Sequence, residues 1–248
     1  TWLLKEPLAS LLLFAAGLWA LRARPYPNQV RLFLLLPPAV ILLAHALFAD
    51  DLGIRYLLPA LPFTCLAGGI GAAWLITRPA WWTRGAAAIL ALWLAAGAVA
   101  IYPDQLSYFN ESACLLREPA WVSAAGGTRC GPLWLDDSNV DWGQGLPQLR
   151  QWLDVHAPGR PLRLAYFGSF PPESYLPNAQ PLSIDDLLKP PAPGLYAVSA
   201  HFIGRVPAIA ASEGIAGGAW LARTAPVAIA GHAFYIYEIP PAASKAGP

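Results

Sequence analysis

The sequence contains no methionine at all, only 12% charged residues, and just three cysteines and four histidines in 248 positions. A chain without methionine holds no initiator of its own, so it is expected to be a processed product or, the better fit, a piece of a longer protein. Its opening, TWLLKEPLASLLLFAAGLWALRAR, also lacks the short basic region and small-residue cleavage site of a signal peptide. With 56% hydrophobic residues and a mean hydropathy of +0.43, the scarcity of charge excludes a wholly soluble domain. Frequent interruptions exclude a chain that is membrane throughout. A net charge of +1 with no basic stripe excludes nucleic acid as a partner. His45, His156, His201 and His232 show no ligand spacing with each other or with cysteines, so no metal site is expected of them.

What charge there is falls unevenly. Residues 1–101 carry ten charged side chains at a net +4, and residues 102–248 carry twenty-one at a net −3. The expected organisation is therefore a transmembrane helical region, 1–101, followed by an extracytoplasmic α/β domain, 102–248. Four apolar runs, roughly 7–21, 32–49, 56–76 and 85–101, give about four membrane helices. The third would span about 31 Å as a helix, close to the hydrocarbon thickness of a bilayer. Pro37 and Pro38 should kink the second. GGIGAAW, 68–74, reads as small-residue packing inside the third.

Arg22, Arg24 and Arg31 lie in the first connection and Arg78 and Arg84 in the third, whereas the second holds Asp50, Asp51 and Arg55. By the positive-inside rule the first and third connections are cytoplasmic and residues 102–248 face outward. In that compartment a Cys114–Cys130 bridge is permitted, whereas Cys65 is expected to be buried in the third helix.

In the outer half, GPLWL (131–135) reads as a strand, PQLRQWLDVHA (147–157) as an amphipathic helix and LRLAYFG (162–168) as a strand, which together make a βαβ unit. GLYAVSA (194–200) and HAFYIYEI (232–239) read as further strands and SIDDLLK (183–189) as a short helix. The tail PPAASKAGP is expected to be disordered, and no internal repeat is visible.

Between the first expected strand and its helix lies the polar run DDSNVDWGQ, 136–144, where ligands of open α/β sheets gather. One reading is structural: Asp141 caps the helix and Gln144 completes a capping box. Pro147 opposes it, because it would then sit at the sixth helical position at a cost of about 3 kcal/mol, against roughly 1 kcal/mol from the cap. The helix is better started near 145–147. That leaves Asp136, Asp137, Ser138, Asn139, Asp141, Trp142 and Gln144 either as a binding loop or as a polar loop that organises the domain. Carboxylates, amides and an indole suit hydroxyl groups and the apolar face of a sugar or peptide.

The run DDSNVDWGQGLPQLRQWL, preceded by YPDQLSYFNE and RYLLPALPF and followed by LAYFG, GLYAVSA and FYIYEI, resembles bacterial multi-pass glycosyltransferases of the protein O-mannosyltransferase type (glycosyltransferase family 39, GT-C fold). Gly145 stands where an acidic residue is common in that family, and SACLL after Glu111 differs from the usual Gly-rich continuation. The resemblance implies transfer of a sugar from a polyprenyl-phosphate carrier to an acceptor hydroxyl of a protein or glycan at the outer membrane face. It also implies that the catalytic base, an Asp in the first external loop, lies before Thr1, so that this chain is the C-terminal part of the enzyme and works with its missing N-terminal part. No cofactor is implied; a divalent cation is compatible with the carboxylates of 136–141 but not indicated by their spacing.

Acceptor or sugar candidates are then Asp137, Asn139, Asp141, Trp142 and Gln144, with Asn110 and Glu111 beside the membrane surface. Arg55 and Tyr56, at the mouth of the third helix, are candidates for the lipid phosphate, since a guanidinium pairs bidentately with phosphate. An interfacial anchor paired with Asp51 is the competing reading for Arg55, and an interhelical polar contact is the ordinary role for His45. The alternative for the whole chain is a non-catalytic, membrane-anchored envelope protein whose outer domain binds a glycan or protein. A transporter is disfavoured because no ionisable residue sits at the middle of an expected helix.

Overall fold

The computed structural model describes residues 1–48, 53–115, 122–215 and 219–241, and the chain divides into two compact units, Thr1–Gly131 and Pro132–Pro248. Asp50 and Asp51, and most of the expected disordered tail, lie outside the described residues.

In the first unit a single turn, α1 (Trp2–Lys5), is followed by Pro7, which begins α2 (Leu8–Ala23). Then come α3 (Asn28–Phe48), a 3-10 turn (Ile54–Ala60) continuing into α4 (Leu61–Ile76), and α5 (Trp81–Ile101). Three of these are long and apolar enough to cross a membrane by length and composition: Asn28–Phe48, Ile54–Ile76 and Trp81–Ile101. At 16 residues α2 is shorter. Helix α3 continues through both Pro37 and Pro38.

Helices α2 and α4 approach through glycine. A Cβ on Gly17 would stand 1.8 Å from the Ala67 carbonyl oxygen, and one on Gly71 would stand 2.2 Å from that of Leu13. Such close backbone approach is how small residues bring apolar helices together when burial from water is not the driving force. Because α4 packs through Thr64, Ala67, Gly68, Gly71 and Leu75, Cys65 points away from that seam and is exposed, contrary to the buried position expected of it. At the ends of the helices, Arg24 donates to Thr77 Oγ1 at 2.9 Å and Arg84 to the Ile76 carbonyl at 3.2 Å.

The division between the units falls at Gly131, not at Tyr102. The reason is polar: the stretch after α5 is fastened to the start of the chain. Asn110 is 0% exposed; its amide nitrogen donates to the carbonyls of Leu3 and Glu6 at 2.7 and 2.6 Å. Its oxygen accepts from the Ser112 amide at 3.0 Å and from the Ser112 hydroxyl. Lys5 Nζ donates to the Leu106 carbonyl at 2.7 Å and stands 4.2 Å over the Phe109 ring; burial lowers its pKa to about 7. Cys114, within α6 (Ser112–Leu115), is joined to Cys130 by a disulfide.

The second unit is built on a five-stranded mixed sheet of β1 (Leu162–Ala165), β2 (Gln180–Pro181), β3 (Gly194–Ser199), β4 (Ala228–Ala230) and β5 (Phe234–Ile239). Their order is β2-β1-β3-β5-β4. β1 is parallel to both β2 and β3; β5 is antiparallel to β3 and β4. GPLWL is not a strand: Thr128–Leu133 is a 3-10 turn. Pro132 has no N–H for a ladder, and a Cβ on Gly131 would lie 2.1 Å from the Phe109 ring. The parallel part of the sheet therefore starts at β1, and α8 (Ile184–Leu188), which opens with a Ser183–Asp186 capping box, lies in the connection from β2 to β3.

Alternation along the strands covers both faces of the sheet. Leu195, Ala197, Phe234 and Ile236 pack with Leu146, Leu149 and Leu153 of α7 (Leu146–His156). The intervening Tyr196 and Tyr237 hold Trp220 edge-on, with centroids 5.3 and 5.1 Å away. Helix α9 (Ala200–Ser212) leaves the end of β3 directly, with the Ser199 hydroxyl accepting from the His201 amide.

Candidate functional site

The polar run occupies the carboxyl ends of β1 and β3, immediately before α7. Gly145 is the N-cap of that helix and Pro147 stands in its first turn, where the missing N–H costs nothing. The Asp141–Gln144 capping box is not formed. Instead Gln144 Oε1 accepts from the Trp142 amide at 2.7 Å and its nitrogen donates to the Val140 carbonyl at 3.4 Å.

Most of the loop's polar atoms are used within the fold. Asp141 is 0% exposed. One carboxylate oxygen accepts from the Gly143 amide at 2.8 Å and the other from the Ser199 hydroxyl. Burial pushes its pKa up to about 6, opposed by those bonds and by the Trp142 amide. Asn139 is buried and donates to the Asp136 carbonyl at 3.0 Å. Asp137 sits at φ 57 in a left-handed turn, and its carboxylate accepts from the Ser138 amide at 2.6 Å. Asp136 pairs with Arg205 of α9 at 2.7 Å.

His201 completes the arrangement. Its Nδ1 accepts from the Asp137 amide at 3.0 Å, so a neutral ring carries its proton on Nε2. Burial, and then the Arg205 charge, hold its pKa below the usual value. The ring is stacked on Phe167, with centroids 3.9 Å apart at 13°, and Phe167 in turn receives Trp142 edge-on at 5.5 Å. Trp142 is the side chain the loop gives to solvent, at 43% exposure.

The glycines explain the spacing of the motif. A Cβ on Gly143, itself at φ +93, would stand 2.2 Å from the Tyr166 hydroxyl oxygen, and one on Gly168 would stand 2.3 Å from the same atom. The Trp-Gly pair and the Tyr-Phe-Gly triplet are two sides of one packing contact.

Of the residues singled out in the sequence, Asp137, Asn139, Asp141, Trp142 and Gln144 thus share one loop. Ser199, His201, Arg205, Tyr166 and Phe167 belong with them and were not singled out. The remaining candidates lie in the first unit. Asn110 has every hydrogen-bonding position filled by protein, so it holds the backbone and has no capacity left for an acceptor. Glu111 accepts from the Trp93 indole at 2.8 Å, and its second oxygen is buried without a protein partner among the described residues. Arg55 and Tyr56 stand in the 3-10 turn before α4, with the guanidinium 5.0 Å over the Tyr56 ring. Among the described residues no three His, Cys, Asp or Glu side chains gather where a metal ion could be held.

No protein-family model matches the chain, and neither a curated protein nor a solved structure matches it.

Proposed function

We propose that the chain is part of an integral-membrane glycosyltransferase that moves a sugar from a polyprenyl-phosphate carrier to an acceptor hydroxyl at the outer face of the membrane. In this reading about four helices cross the bilayer, α2 among them, and the second unit lies on the extracytoplasmic side of a bacterial cytoplasmic membrane. The observation that carries the reading is the exposed Trp142 indole on its Phe167–His201 stack. A rigid flat aromatic ring on a loop rich in carboxylates suits the apolar face and the hydroxyls of a sugar. The three membrane-length helices and the resemblance of the Asp-Trp-Gly run to the protein O-mannosyltransferase type support it.

Within this reading Trp142 and Asp137 contact acceptor or sugar. Asp141, Asn139 and Gln144 shape the loop and act as positioning residues. None of the loop carboxylates is assigned as the base: Asp141 is fully buried and Asp136 is paired with Arg205.

The deciding assay is sugar transfer from a polyprenyl-phosphate donor in membranes carrying the full-length protein, at matched expression. Trp142→Ala is expected to lower transfer roughly 10-fold or more, the scale of one lost positioning contact. Unchanged transfer would make the loop purely structural. The internal saturation of that loop favours a second reading, a non-catalytic envelope protein whose outer unit binds a glycan or protein, and absence of transfer in the wild type would move it ahead.

A further inference from the structure

The polar loop is fastened to the start of α9 at two points, and His201 takes part in both. Its Nδ1 accepts from the Asp137 amide at 3.0 Å. Its own amide donates at 3.3 Å to the Ser199 hydroxyl, which in turn donates to Asp141. The ring is also the base on which the exposed indole rests, through the Phe167 stack at 3.9 Å and the edge contact from Phe167 to Trp142 at 5.5 Å. The bond from the Asp137 amide carries a condition that the other contacts lack. Nδ1 accepts only while the ring is neutral; an imidazolium has an N–H on both nitrogens and accepts at neither.

Protonation would therefore set the Asp137 amide against a second donor. Asp137 stands at φ 57, a conformation that a residue other than glycine keeps only while its surroundings hold it, and the bond to Nδ1 is one of the contacts that do so. The charged ring has another arrangement within reach. Asp136 and Asp137 both favour the imidazolium, so the nitrogen that accepted from the Asp137 amide can donate to a loop carboxylate instead. Arg205, from the same helix, opposes that charge and is itself paired with Asp136 at 2.7 Å. Phe167, from the end of β1, and Phe202, edge-on at 4.9 Å, pack on the ring without charge, and Asp141 is joined to it through Ser199.

We propose that His201 is the positioning residue of the Trp142 loop and works as a proton-operated catch. Neutral, it holds the Asp137 turn and the aromatic stack that presents the indole; protonated, it gives up the amide for a carboxylate, and the loop shifts beneath Trp142. The proposal stands on the geometry of the loop and needs no particular activity. On the glycosyltransferase reading it confines the contact between Trp142 and sugar to the pH range in which His201 is neutral.

The test is fluorine NMR of the detergent-solubilised full-length protein labelled with 5-fluorotryptophan, titrated from about pH 8 to about pH 4 across the histidine range. The Trp142 signal is assigned by its loss in Trp142→Phe. His201→Asn puts an amide oxygen where Nδ1 accepts and takes up no proton, so its Trp142 signal should show no transition. Arg205→Ala leaves ring and loop in place but removes the opposing charge, so the transition should move to higher pH. A Trp142 transition in the wild type, lost in His201→Asn and raised in Arg205→Ala, supports the proposal. An unmoving signal in the wild type, a transition that survives in His201→Asn, or one that disappears in Asp141→Asn overturns it. If His201→Asn does not fold, the Arg205→Ala titration decides alone, and an unchanged midpoint overturns the proposal. Sugar transfer is not read here, so failure of the catch leaves the proposed activity to its own assay.

Discussion

Asp141 and Ser199 stand 58 positions apart and share a hydrogen bond in the interior of the second unit. That bond ties the polar loop to the end of β3 just where α9 begins. A carboxylate that the motif makes conspicuous is thus a fastening, and its chemistry is a matter of stability before it is one of ligands.

The first prediction follows from its charge. With the folded pKa raised from the ordinary 3.8 to about 6, there is a window, about pH 4 to 6, in which the unfolded chain has released a proton that the folded chain retains. Stability therefore falls as pH rises through that window, by on the order of 3 kcal/mol in total, and this contribution is flat above it. Asp141→Asn should remove the slope. Chemical denaturation of both proteins at a series of pH values measures it; parallel curves would contradict the buried carboxyl.

Gly168→Ala places a methyl group against the Tyr166 hydroxyl and should destabilise by about 1–3 kcal/mol. In a Tyr166→Phe background part of that loss should disappear. Gly143→Ala should cost more, because its positive φ adds backbone strain to the same collision. A double-mutant cycle on thermal unfolding reads the coupling, and strict additivity would contradict the shared contact.

Asn110→Ala leaves the Leu3 and Glu6 carbonyls and the Ser112 amide without their partner. A loss of about 2–4 kcal/mol is expected in the unfolding of the detergent-solubilised protein. Asn110→Asp, which keeps the size but loses both donors, should be nearly as damaging. Tolerance of both would mean that the stretch after α5 is held by other contacts.

Arg205→Ala should scarcely change stability, since its ion pair with Asp136 is 42% and 37% exposed and such pairs contribute about 0–1 kcal/mol. Its effect should appear at His201, whose pKa rises once the neighbouring positive charge is removed and Asp136 is left unpaired. A histidine NMR titration of wild type and variant checks the direction.

Much of the second unit is legible in the sequence. GLYAVSA and FYIYEI are β-branched, aromatic and bounded by turn residues, and they pair as β3 and β5. PQLRQWLDVH carries its leucines on one helical face, and that face meets the sheet. GPLWL misleads because a five-residue apolar run looks the same in a strand and in a tight turn. What decides it is a Gly131 pressed onto Phe109, a contact between positions 22 apart that no local pattern records. The same holds for the loop: its polarity is visible in the sequence, but whether the polar atoms face a ligand or one another depends on Ser199 and His201, which arrive with the end of a distant strand. Asn110 is misread for a related reason, since an amide beside an expected membrane surface gives no sign that Leu3 and Glu6 have already claimed it.

The anchoring of residues 102–131 has a practical bearing on how the protein is divided. A secreted fragment cut at Tyr102 would carry away a ribbon whose Asn110 amide is bonded to the opposite end of the chain, and would expose it as a sticky, unfolded leader. A cut at Pro132 severs none of those bonds. Limited digestion that leaves a stable piece beginning near that proline, parted from the disulfide-bonded segment, would mark the natural seam for expressing the second unit alone.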